Sequence, residues 1–440
     1  MDAAVRSSQS SLAYRRRVGD PVAAAAARVT ADDVEEAGRR LAPIVSVTPL
    51  LRNERLSART GAEVFLKRED LQVVRSYKLR GAYNFIAQEL PAARTTGVVC
   101  ASAGNHAQGV AWAAHALDLD ARIYLPAPTP RQKRDRIAAL GGPRVTVIVT
   151  GETYDEALAA ALEDAGRTGA IPVPAFDHPR IVAGQGTVAL ELVAQLGAAP
   201  DLVVVPVGGG GLAAGCATWL TARAPSTRLA GVEPAGAASM TAALAAGRPV
   251  PLAELDGFVD GAAVRIVGQV TFPIVQGGVR EVVTLDEGRL CSEMLALYQS
   301  DGIIAEPAGA LATAALGHGV EAEPASTVVC VITGGNNDVS RYAEILERSL
   351  VFEGLKHYFL VEFPQEPGAL RRFLADVLGP DDDITLFEYV KRNNRETGPA
   401  LVGIELARRE DLGPLLDRMA TSPMTCSLIE PGDPLFRFLV

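Results

Sequence analysis

From about residue 95 onward, short apolar runs that do not alternate with polar residues punctuate the chain: Gly97–Ala101 (GVVCA), Arg122–Leu125, Val145–Val149, Leu202–Val207, Leu229–Val232 and Thr327–Ile332. Between them lie stretches with helical spacing, one running to Leu117. Such runs are strands of parallel sheets covered by helices on both faces. This part therefore reads as α/β and doubly wound. Apolar residues at Leu79, Ala82, Tyr83, Ile86, Ala87 and Leu90 mark one further helix, which Pro91 is expected to end.

Near residue 351 the pattern changes. His357–Phe363 reads as a strand, and Pro367-Gly368-Ala369-Leu370 opens a helix through Val377. Strands at Asp383–Val390 and Leu401–Leu406 flank a turn-like Asn393–Pro399; a helix at Asp411–Ala420 and a strand near Ser427–Ile429 follow. The order β-α-β-β-α-β is a ferredoxin-like split arrangement, so residues 351–440 read as a separate α+β domain after a body at 29–350. Residues 1–28 read as a disordered tail: Arg15-Arg16-Arg17 and the alanine run Ala23–Ala27 are too weakly apolar for a signal peptide and lead into a charged helix start at Ala31–Glu36.

Composition narrows the possibilities. The chain has 440 residues, 48% of them hydrophobic, and a net charge of −10 from 42 basic and 52 acidic residues. That balance opposes sequence-independent nucleic-acid binding. No apolar run reaches the roughly 18 residues of a membrane span, and a cytoplasmic protein is expected. The five cysteines and five histidines are scattered, without the clustering a zinc site needs.

Four segments could carry chemistry. In Ser76-Tyr77-Lys78-Leu79-Arg80-Gly81-Ala82, Lys78 stands at a helix start and off its apolar stripe. An amine held at a positive helix end and partly out of water suits Schiff-base chemistry, although most lysines at helix starts are merely solvated. Ser102-Ala103-Gly104-Asn105-His106 lies between a strand and a helix, where exposed backbone N–H groups can hold a carboxylate; a plain helix cap at Ser102 or Asn105 is the alternative. Gly208-Gly209-Gly210-Gly211, before Leu212, lets a backbone approach a phosphate closely. Thr333 in Thr333-Gly334-Gly335-Asn336-Asn337 could face a heteroaromatic nitrogen or cap a turn, and Glu306 before Pro307 reads as an acid complementing a helix dipole. Spacing does not choose the cofactor: Gly208-x-Gly210-x-x-Ala213, with Glu233 20 residues after Ala213, also fits a dinucleotide-dependent oxidoreductase.

Together with Lys67-Arg68-Glu69-Asp70-Leu71-Gln72 and Glu306–Ala310, these segments resemble, in order, the threonine dehydratase (threonine ammonia-lyase) family of fold-type II pyridoxal-phosphate (PLP) enzymes. The tail from Gly354, with Phe363-Pro364 and Pro367-Gly368-Ala369-Leu370, resembles the single ACT-like regulatory domain of the shorter biosynthetic members.

The resemblance implies two doubly wound α/β subdomains, as in the tryptophan synthase β chain, and pyridoxal 5'-phosphate carried by Lys78. It implies phosphate binding by Gly208, Gly209, Gly210, Gly211 and Leu212, a bond from Asn105 to the pyridoxal 3′-oxygen, substrate-carboxylate binding by Ser102, Ala103, Gly104, Asn105 and His106, and Thr333 facing the pyridine nitrogen. Cation-binding relatives place an aspartate six residues after a glutamate like Glu233; Ser239 stands there, so no metal is expected. The implied reaction is β-elimination of water from L-threonine to 2-oxobutanoate and ammonia, opening isoleucine synthesis, by a homotetramer inhibited by isoleucine, with valine as the alternative effector. A serine-preferring dehydratase or racemase of the same fold is the competing reading.

Overall fold

The computed structural model describes residues 28–389, 396–431 and 433–439, so almost all of the expected tail, and residues 390–395, lie outside the described residues. The chain divides into two compact units, residues 1–287 with 296–337, and residues 288–295 with 338–440.

The first unit holds two sheets. The larger has the order Leu50–Arg52, Glu63–Arg68, Thr327–Ile332, Leu202–Pro206, Arg228–Pro234, Glu281–Leu285, parallel throughout except for the antiparallel Leu50–Arg52 edge. The smaller is wholly parallel, in the order Val145–Val149, Ala121–Leu125, Val98–Ala101, Ile171–Pro172. The unalternating runs owe their composition to this placement: every residue of Leu202–Pro206 and Val98–Ala101 is buried. Parallel strands require a covered crossover between them. Each apolar run thus delivers a turn to the same carboxyl edge of a sheet.

Helix Lys78–Gln88 packs on helix Pro179–Leu196 at a glycine pair. A Cβ at Gly184 would lie 2.7 Å from the Gly81 Cα, so only glycines allow the two backbones this close. Pro91 does not simply stop the chain's helical course. It sits in the first turn of a separate helix, Leu90–Thr96, where its missing N–H costs nothing.

The second unit carries a four-stranded antiparallel sheet in the order Asp383–Tyr389, Thr397–Glu405, Lys356–Pro364, Thr425–Ile429, with helices Ala369–Asp376 and Leu412–Thr421. This is the ferredoxin-like order. Its core joins Phe359, Val361, Phe363, Phe373, Val402, Ile404 and Leu415. The third strand begins at Thr397, inside the stretch expected as a turn. Pro399 lies within this strand, opposite Glu362.

Candidate active site

Several segments of the first unit converge at the carboxyl edges of its two sheets. Lys78 is the first residue of its helix and half-buried, with Nζ 5.4 Å from the centroid of the Tyr77 ring. Among the described residues its amine makes no hydrogen bond or ion pair. The backbone just before it is stitched to the turn after Thr327–Ile332: the Tyr77 N–H donates to the Thr333 carbonyl (3.1 Å), the Gly335 N–H donates to the Arg75 carbonyl (3.0 Å), and Ser76 bridges Gly334. Gly109, in helix Asn105–Ala116, lies against the Lys78 carbonyl.

The Ser102–His106 turn follows strand Val98–Ala101. Gly104, not Ser102 or Asn105, is the N-cap residue, and no side chain caps the helix. The Ser102 Oγ instead accepts from the Gly104 N–H at 3.3 Å. The first-turn N–H groups are therefore available to an anion. His106 is buried with Nε2 3.0 Å from the Val173 carbonyl; burial and then the nearby Lys78 charge push it down to about 4, so it is neutral near pH 7.

The tetraglycine turn starts helix Gly211–Arg223, again without a capping side chain. Gly210 has φ +91°, and a Cβ at Gly209 would lie 2.4 Å from the Phe176 ring. The cradle is braced from outside: the Thr271 hydroxyl donates to the Gly209 carbonyl at 2.6 Å, while the Asp177 carboxylate accepts from the N–H groups of Gln269 (2.9 Å) and Val270 (2.8 Å). A tight backbone turn of positive φ, opening a 13-residue helix whose first N–H groups no side chain takes, is what a phosphate group fits. Leu212 points into the core rather than the turn's open side.

Thr333 is buried, and its hydroxyl donates to the Ala308 carbonyl at 3.2 Å. Gly208 lies against Ala262, and the neighbouring Gly261 against Ala308, which ties the glycine turn to the Glu306 segment. Glu306 occupies the N-cap position of helix Pro307–Ala315, but its carboxylate makes no capping bond. Its carboxylate accepts from the Asn105 Nδ2 and from the Asn336 N–H. Burial, then the charge of Asp260, push it up to about 7. Glu233, the acid that suited a dinucleotide ribose, is buried and saturated by the N–H groups of Met240 (2.6 Å) and Thr241 (2.8 Å) and by the Thr241 hydroxyl (2.8 Å).

Sequence reasoning did not single out Phe176, Asp177, Ala262 or Thr271. They reach the glycine turn from distant loops, and no local spacing marks them. The linkage of Glu306 to Asn105 across 201 residues was equally invisible.

Residues 41–334 match the family model described as pyridoxal-phosphate dependent enzyme, and residues 347–439 the one described as the C-terminal regulatory domain of threonine dehydratase. The chain is 61% identical over 410 residues to the biosynthetic L-threonine dehydratase of Mycobacterium bovis, covering 93% of this chain and 95% of that one. Among solved structures it is similar to the processed form of threonine deaminase isoform 2 from Solanum lycopersicum, with TM-score 0.68 and 38% identity over 72% of this chain and 87% of that one. It is also similar to maize serine racemase, with TM-score 0.67 and 29% identity over 74% and 98%.

Proposed function

Since the chain belongs to the biosynthetic L-threonine dehydratase family of PLP-dependent lyases, we propose that it converts L-threonine to 2-oxobutanoate and ammonia, with catalysis in residues 29–350 and regulation in residues 351–440. The observation that carries this reading is the half-buried amine of Lys78, without a hydrogen bond or ion pair among the described residues, in a site entered by two helix N-termini that no side chain caps.

In this reading Lys78 holds the cofactor through its amine, and the N–H groups of Gly208 to Gly211 and Leu212 hold its phosphate. Bound PLP supplies a conjugated ring that spreads the negative charge left on a substrate α-carbon. The Lys78 amine, freed when substrate enters, takes the α-proton as general base. The N–H groups of the Ser102–His106 turn hold the substrate carboxylate, which fixes the α-hydrogen toward Lys78. Asn105 donates to the ring's oxygen substituent. Thr333 would reach the ring nitrogen by turning its one hydroxyl hydrogen away from the Ala308 carbonyl, which it meets at 3.2 Å, and a neutral hydroxyl would not hold that nitrogen protonated as a carboxylate would. His106, kept neutral by burial, adds no competing cation beside Lys78.

The test is the visible absorption of the purified protein before and after borohydride, with Lys78→Ala beside it, and 2-oxobutanoate formation from threonine. A yellow band that borohydride fixes onto Lys78, absent in the variant, and turnover lost with it, are expected. A colourless protein that PLP does not reconstitute would overturn the reading. The likeness to a serine racemase makes serine the competing substrate, and the ratio of kcat/KM for the two decides between them.

The same reading assigns isoleucine, with valine as the alternative, as the effector of the second unit, a homotetrameric assembly and a cytoplasmic location. The regulatory-domain match supports the effector role, and no described helix is long and apolar enough to cross a membrane. Light scattering of the full chain tests the tetramer.

A further inference from the structure

The side-chain amide of Asn105 offers two donor hydrogens and one acceptor oxygen. One hydrogen goes to Glu306 Oε1, while the oxygen accepts from the Asn336 Nδ2 at 2.7 Å. Asn336 is itself fixed, because the same Nδ2 donates to the Val74 carbonyl at 2.8 Å, beside the Lys78 segment. Reversing the Asn105 amide would set its oxygen against a carboxylate and its nitrogen against another amide nitrogen. Its orientation is therefore determined, and one N–H remains to be spent.

Glu306 is an expensive residue for this place. It is 5% exposed and has no ion-pair partner among the described residues; Asp260 and Lys133, whose charges act on it, pair with each other at 2.6 Å. A buried carboxylate without a cation costs stability unless hydrogen bonds compensate it. The backbone has also been cleared for it: a Cβ at Gly334 would fall 2.1 Å from Glu306 Oε1. At the mouth of a helix that already has Pro307 in its first turn, an uncharged cap would have served the fold alone.

We propose that Glu306 is a positioning residue, whose carboxylate holds the Asn105 amide so that its remaining N–H faces the oxygen substituent of the cofactor ring. The proposal rests on the reading of Asn105 given above. It makes Glu306 act on the cofactor only through Asn105, although the two residues are 201 positions apart.

The test uses the full-length, PLP-loaded protein and four variants: Asn105→Ala, Glu306→Ala, Glu306→Gln and the double alanine variant. The readouts are the position of the visible band, the pH midpoint of its titration, and PLP dissociation measured by dialysis. Asn105→Ala and Glu306→Ala are each expected to move the band and its midpoint and to loosen the cofactor about tenfold, the scale of one lost hydrogen bond to an ordered partner. The double variant is expected to match Asn105→Ala alone. Glu306→Gln, which keeps one acceptor, falls between wild type and Glu306→Ala, and it decides the matter if the alanine variant does not fold. Additive losses in the double variant, or a wild-type band in both Glu306 variants while Asn105→Ala shifts it, overturn the role of Glu306 and leave the Asn105 reading intact. An unshifted band in Asn105→Ala overturns both.

Discussion

The guanidinium of Arg80 and the carboxylate of Glu69, both fully buried, meet through two parallel bonds of 2.8 Å, and Glu191 takes the guanidinium's remaining edge at 2.7 and 2.8 Å. Lys67, also fully buried, closes the cluster by donating to Glu191 at 2.9 Å. Two cations and two carboxylates thus balance two residues beyond Lys78. Removing Arg80 leaves two carboxylates against one amine. Arg80→Met is expected to cost about 3–5 kcal/mol, as for other broken buried pairs, read as a lower urea midpoint; Arg80→Lys should recover only part, because an ammonium cannot make the double fork.

Acid should dissolve the same cluster. Burial alone would raise the Glu69 carboxyl, but Arg80 overrides it and holds it below its ordinary 4.5. A depressed carboxyl contributes stability that is complete above the unfolded value and is lost as pH falls through the folded one. Urea unfolding from pH 6 to pH 3 should show this loss beginning below about pH 4.5, and Glu69→Gln, less stable at pH 6, should converge on wild type at the acid end.

Glu306 and His106 pull in opposite directions over nearly the same window. Glu306, raised from 4.5 to about 7, makes the fold lose stability as pH rises between those values. His106, lowered from 6.5 to about 4, makes the fold gain stability over the rise from about 4 to 6.5. Each shift is worth on the order of 3 kcal/mol, so their slopes largely cancel in the wild type. Glu306→Gln should tilt the stability profile upward with pH, and His106→Asn should tilt it downward. Parallel profiles for both variants and wild type would contradict these shifts.

At the glycine turn, Gly209→Ala drives a methyl into the Phe176 ring. Overpacking of this kind costs about 1–3 kcal/mol, expected here as a ten- to hundredfold loss of PLP affinity. Phe176→Leu combined with Gly209→Ala should restore part of it. Gly210→Ala, at φ +91°, should not be rescued in the same way, since its strain lies in the backbone.

If isoleucine is the effector, calorimetry on the full chain should show saturable binding, and threonine should weaken isoleucine by the same factor as isoleucine weakens threonine. Isoleucine binding that leaves the threonine affinity unchanged, or no heat with isoleucine and valine alike, would remove that assignment.

The strands buried on both faces were legible because burial leaves them nothing but apolar residues. Glu63–Arg68 was missed for the opposite reason: it is a central strand that carries Lys67 inward to an ionic cluster, so its sequence reads as charged. Glu281–Leu285 escaped notice as a half-exposed edge. At the site, the glycines stand out through local spacing, whereas Lys78 at a helix start reads as a solvated lysine until the family resemblance singles it out. Glu306 did not stand out, because a glutamate before a helix-opening proline reads as a dipole partner; its true contacts come from the turns at Asn105 and Asn336.

The neighbours of Glu63–Arg68 also set a timetable for synthesis. One side of that strand is satisfied early by Leu50–Arg52, but the other pairs only with Thr327–Ile332. At about 5–20 residues per second on the ribosome, some 260 intervening residues take roughly 13 to 50 s to emerge. Throughout that interval the nascent chain presents an open strand edge and the apolar face meant for the last-made strand. The first unit therefore cannot complete its larger sheet until most of the polypeptide is outside the tunnel, and its yield in the cell should depend on how well that waiting edge is shielded.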